Sequence, residues 1–141
     1  MATCKGLAQK GFHVFLGSRD DTRGKTAVEE LHKLGHAHVE LLHVDVASEA
    51  SIDVAAKKLS AQIGHLDVLV NNAGVFLEGK HTALDVSSNV VVDTFTTNTL
   101  GALLMTRALV PLLEKSAAAQ VINVSSGIGQ LEDMTGGSAA Y

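Results

Sequence analysis

The chain has 141 residues, enough for one domain, and its 46% apolar and 18% charged residues with mean hydropathy +0.22 are a core-forming composition that excludes a disordered chain. Fifteen acidic against eleven basic residues give a net charge of −4, with no basic block, which excludes a nucleic-acid backbone as the natural partner. The single cysteine, Cys4, excludes an internal disulfide and fits a reducing compartment.

In chain order, residues 2–10 read as a helix stopped by Gly11, a residue free to adopt the left-handed conformation of a helix end. His13 to Gly17 follows as a short apolar strand. Asp21 or Thr22 caps a second helix, with Ala27, Val28, Leu31 and Leu34 at helical spacing and Gly35 closing it. Val39 to Val46 reads as a second strand. Ser48 opens a third helix whose apolar face carries Ile52, Ala55, Ala56, Leu59 and Ile63, and Gly64 ends it. Leu66 to Val70 is a third strand running into Asn71-Asn72-Ala73-Gly74.

A polar loop from Glu78 to Ser88 leads to one long helix, Val90 to Lys115, which Pro111 should kink in its last turns. Gln120 to Val124 is a fourth strand, followed by a loop to Tyr141. Strands alternating with helices imply a parallel sheet covered on both faces, an α/β doubly wound, Rossmann-like fold. Near-continuous apolar strands agree, because parallel strands are buried on both sides. The order begins with a helix, so the central first strand of such a sheet is expected to be lacking.

No apolar core marks the first residues as a signal peptide, and the longest apolar candidate for a span, Leu100 to Leu113, is broken by Arg107 and Pro111. The expectation is a cytoplasmic protein that does not engage a membrane. Three of the seven histidines, His36, His38 and His43, crowd together. His38 and His43 lie five residues apart, on opposite strand faces, and no cysteine or carboxylate completes a ligand set, so no metal site is expected.

In doubly wound folds ligands bind beyond the carboxyl ends of the strands. Arg19, Asp45-Val46, Asn71-Asn72-Ala73-Gly74 and Asn123-Val124-Ser125-Ser126 all fall at those ends. Each alone is ordinary turn chemistry. Together with Gly11 to Asp20, Asn98 within Thr-Thr-Asn-Thr-Leu-Gly, Pro111 and Tyr141, in this order and spacing, the chain resembles the short-chain dehydrogenase/reductase family, in particular its carbonyl-reductase-like branch. The resemblance covers residues 2–141. It departs from the family at both ends. The glycine-rich Thr-Gly-x-x-x-Gly-x-Gly is not among the 141 residues, and Tyr-x-x-x-Lys stops at its tyrosine. Residues 1–141 are accordingly expected to form a partial dinucleotide-binding domain, also without the C-terminal strands, and to be inactive by themselves.

The resemblance implies an oxidoreductase passing hydride between a nicotinamide cofactor and a small carbonyl or alcohol. It implies Tyr141 as general acid, Ser126 as the group holding the substrate oxygen, and Asn98 as the anchor of a proton-relay water. It gives Asp45 the adenine amino group, Val46 the ring, and Asn72, Ala73 and Gly74 the ribose and diphosphate approach. An acidic residue at the end of the 13–17 strand would favour NAD. Arg19, a planar fork suited to phosphate, favours NADP, with Arg23 assisting. The helix at 90–115 would pack the core, and in the family it forms subunit interfaces, so the full protein is a homo-oligomer or a monomer. A competing reading is a noncatalytic, partner-binding product. A signalling or methyltransferase domain leaves Asn98, Ser126 and Tyr141 unexplained.

Overall fold

The computed structural model describes residues 1–77, 79, 82 and 84–126. The elements are α1 (Ala2–Gln9), β1 (Val14–Ser18), α2 (Asp21–Lys33), β2 (Val39–His43), α3 (Glu49–Gln62), β3 (Val68–Asn71), α4 (Ser88–Phe95), α5 (Gly101–Leu113) and β4 (Gln120–Asn123).

Local chemistry explains most boundaries. Gly11 and Gly35 stop α1 and α2 with φ of 86° and 88°, the region that favours glycine. The Ser48 hydroxyl caps α3 by accepting from the Ser51 amide. Asp20, one residue before the expected cap of α2, accepts from the Arg23 amide at 2.9 Å. The second strand ends at His43 instead of Val46. Val44 still donates to the Ser18 carbonyl, but Asp45 then folds back to accept from the Ala47 amide at 3.0 Å, which turns the chain out of the ladder.

The architecture is α/β and doubly wound, with all strand pairs parallel. β1 pairs with β2, Val14 opposite Val39 and Ser18 opposite His43, and β3 pairs with β4, Val68 opposite Gln120 and Asn71 opposite Asn123. The described strands thus form two separate two-stranded sheets, and β1 and β3 are not hydrogen-bonded to each other. α1 and α2 pack on one side, where Leu31, Val14, Leu16 and Val39 form a small core. α3 and α5 pack on the other, where Ile52, Ala55, Leu59, Leu69, Met105, Leu109, Leu112 and Leu113 form the larger core with Leu42 and Val44.

Two expectations need correcting. The single helix over 90–115 is divided into α4 and α5 by one wide π-type turn, Thr96–Leu100, and α5 continues through Pro111 to Leu113. The interruption falls at Asn98, where the chain meets β3's loop. β4 is not buried on both sides: Val121 is 42% and Ile122 43% exposed. Among the described residues β3 pairs with it and α5 packs against it, and Val121 and Ile122, which point to opposite faces, both stay partly exposed. No helix is long and apolar enough to cross a membrane among the described residues.

Candidate functional site

The carboxyl ends of β1, β2 and β3 open onto one cleft of about 750 Å³, to which Ser18, Arg19, Asp45, Val46 and Asn71–Val75 all contribute. Arg19 also borders a shallower hollow of about 270 Å³ with Ala47, Val75, Leu77, Asp93, Thr96 and Thr97.

The turn after β1 is held by short-range bonds. The Ser18 hydroxyl donates to the Asp20 carbonyl at 2.8 Å and accepts from the Asp20 amide at 3.2 Å. The Asp20 carboxylate is doubly engaged, capping α2 and facing the Arg23 guanidinium at 3.7 Å. Arg19, between them, is exposed and has no hydrogen bond or ion pair among the described residues. Arg23 is turned to its own helix cap, with its side chain 89% exposed. After β2, half-buried Asp45 accepts at Oδ1 from the Ala47 amide, and its own amide donates to the Ser51 hydroxyl at 2.9 Å. Oδ2 of Asp45 makes no hydrogen bond among the described residues, and Asp45 lines the cleft.

Asn98 fixes the loop after β3. Its Oδ1 accepts from the Val75 amide and its Nδ2 donates to the Val75 carbonyl, both at 2.8 Å. This bracket mimics a strand partner and aligns Asn72, Ala73 and Gly74, all exposed, along the cleft.

Two positions that the sequence reading gave no role shape the same region. Asn71, at the end of β3, donates through Nδ2 to Asn123 Oδ1 at 2.8 Å and to the Thr106 hydroxyl at 3.1 Å, tying β3, β4 and α5 together. The signal was present in the identical asparagines closing two strands, which turn out to be register partners. Gly101 opens α5 directly against the chain at Val46: a Cβ there would lie 2.8 Å from the Val46 carbonyl oxygen.

That contact gives a test with a sign. Gly to Ala in an exposed helix interior gains about 0.5–1 kcal/mol, and overpacking against backbone costs about 1–3 kcal/mol. Gly6 of α1 has open space where a Cβ would stand. Gly6→Ala should therefore raise the urea midpoint of the 141-residue chain and Gly101→Ala should lower it. Equal shifts of the same sign would show that the Val46 contact yields freely.

Of the remaining expected site residues, Ser125 and Ser126 are exposed just beyond β4. Tyr141 lies outside the described residues, so its meeting with Ser126 and Asn98 is not seen. Among the described residues no three histidine, cysteine or acidic side chains gather as a metal site. His43 instead faces Asp21 and His13 faces Glu40, each at 2.8 Å.

The family model for short chain dehydrogenases matches residues 1–141. The short-chain dehydrogenase/reductase tropE of Talaromyces stipitatus is 36% identical over 138 residues, covering 94% of this chain and 51% of the relative. The (+)-neomenthol dehydrogenase of Arabidopsis thaliana is 36% identical over 150 residues, with 93% and 51% covered. A metagenomic short-chain oxidoreductase, solved in complex with NADP, superimposes with a TM-score of 0.80 at 27% identity, covering 89% of this chain and 56% of that one. The chain spans about half the length of the curated relatives it matches.

Proposed function

Given that the chain belongs to the short-chain dehydrogenase family, we propose that it forms the cofactor side of an NADP(H)-dependent reductase acting on a small carbonyl or alcohol. The observation that carries this reading is the convergence of Arg19, Asp45 and Asn72–Gly74 on one cleft, with Arg19 unengaged while the nearby acid, Asp20, is consumed as a helix cap. An acid free at this place would suit the 2′-hydroxyl of NAD; a free guanidinium suits a 2′-phosphate. The relative solved with NADP supports the same choice.

The residues present fit the nucleotide. Asp45 Oδ2 is available to accept from the adenine amino group, Val46 presents an apolar side chain beside it, and the Asn98 bracket keeps Asn72, Ala73 and Gly74 open toward the ribose and diphosphate. When bound, the reduced nicotinamide supplies the hydride. As negative charge grows on the substrate oxygen, the Ser126 hydroxyl donates a hydrogen bond to it. Tyr141 delivers the proton, leaving an alcohol and a tyrosinate that solvent reprotonates. A free tyrosine titrates near about pH 10, so Tyr141 needs neighbouring positive charge to work near neutrality. Residues 1–141 form a partial dinucleotide-binding domain in this reading, and the protein works in the cytoplasm. The uncovered apolar side chains of α4 and α5, Val92, Phe95 and Leu103, would meet a second subunit.

Arg19→Ala in the full protein should weaken NADPH by about ten- to a hundredfold, the worth of one charge-assisted hydrogen bond, and leave NADH little changed. Binding titrations with both nucleotides check this; equal losses would remove Arg19 from the phosphate site.

A further inference from the structure

We infer that His43 is a specificity-determining positioning residue: it holds the Asp21 carboxylate at the end of β2 and so keeps Arg19 free for a 2′-phosphate. The inference rests on the NADP(H) reading above. Two acids, Asp20 and Asp21, directly follow Arg19, and either carboxylate is a natural partner for its guanidinium. Neither takes it. Asp20 is engaged by the amide and the guanidinium of Arg23. Asp21 is engaged from β2, its Oδ1 lying 2.8 Å from His43 Nδ1. An ionised carboxylate has no proton to give, so Nδ1 carries the hydrogen and donates it. The neutral Nδ1–H ring and the imidazolium both make this bond.

The fold builds this bond. Register sets Ser18, the residue before Arg19, opposite His43, and the Val44 amide donates to the Ser18 carbonyl at 3.0 Å. The first turns of α2 then lie on β2. Buried Gly24 presses on Leu41, where a Cβ would stand 2.5 Å from Leu41 Cδ1. Asp21 is three residues before Gly24, on the same helix face, and His43 is two residues after Leu41, on the same strand face. The close approach at Gly24 therefore brings carboxylate and ring together. With side chains 55% and 58% exposed, the His43–Asp21 pair contributes little to stability. Its consequence is the placement of charge. A released Asp21 carboxylate stands two residues from Arg19, competes for the guanidinium, and opposes a phosphate that carries about −1.5 to −2 charge at neutral pH. NADH has no such phosphate and is indifferent to the change.

The test is a set of NADPH and NADH binding titrations on the full protein. His43→Ala should weaken NADPH about three- to tenfold, the effect of one freed charge at a partly screened distance, and leave NADH within about twofold of wild type. Adding Asp21→Asn to His43→Ala should return NADPH to within about twofold of wild type, because the amide brings no charge against the phosphate. A residue that merely braces α2 is not rescued by removing its own partner, so this arm separates charge placement from packing. Unchanged NADPH affinity in His43→Ala would overturn the inference, as would equal losses for the two nucleotides or a loss that Asp21→Asn does not repair. Arg19→Ala in the same titrations separates the inference from the reading beneath it. A loss there that is selective for NADPH, beside an inert His43→Ala, removes the inference alone; a uniform loss there removes both.

Discussion

Replacing Tyr141 with phenylalanine in the full protein should lower carbonyl reduction by about 10²–10⁴-fold, the range for losing a positioned general acid, while NADPH binding holds. The substitution removes one hydroxyl and keeps the ring, so packing is little changed. What is lost is the proton for an oxygen that becomes strongly basic as hydride arrives. Ser126→Ala should also be damaging, because the substrate oxygen then loses the donor that holds it in line, and Ser125→Ala should be much milder. Stopped-flow NADPH oxidation with an aldehyde or diketone, beside NADPH titrations, separates the outcomes. Turnover within tenfold of wild type for Tyr141→Phe would mean another group gives the proton, and a parallel loss of NADPH affinity would make the residue structural.

Leu31→Ala should cost about 2–5 kcal/mol of stability, the range for truncating a fully buried leucine. Leu31 is 0% exposed beneath the β1–β2 pair, where Val14, Leu16 and Val39 surround it and Cys4, Leu7, Ala27 and Val28 complete the layer. That core is small, with four buried side chains, so a cavity there has few neighbours able to relax into it. Leu34, three residues on at the end of α2, is 56% exposed and serves as the internal control. Its truncation should stay within about 0.5 kcal/mol of wild type. Urea unfolding of both variants measures the difference. A comparable loss at the two positions would mean that α2 does not hold its buried face against the sheet.

What the sequence by itself determined is whatever local chemistry sets within a few residues. Gly11 and Gly35 mark helix ends because only a residue without Cβ takes positive φ easily, and Ser48 caps α3 through an amide three residues away. The alternation of apolar strands and amphipathic helices gave the α/β class, and the order of short motifs from Arg19 to the Asn71-Asn72-Ala73-Gly74 run identified the family.

The tertiary structure alone decided what depends on residues far apart in the chain. The Asn98 amide brackets Val75, 23 residues away, a pairing no local pattern announces. Asn71 reads as turn chemistry, yet it bonds Asn123, 52 residues on. The wide turn at Thr96–Leu100 falls where Asn98 bonds Val75 and Gly101 lies against Val46, contacts between residues far apart in the chain. The availability of Arg19 depended on Asp20 being drawn into the α2 cap, a choice between two adjacent acids that composition does not make. β4 looked like a doubly buried strand because Val121 and Ile122 are apolar, but burial belongs to the neighbours a strand finds, and both side chains, on opposite faces, are more than 40% exposed.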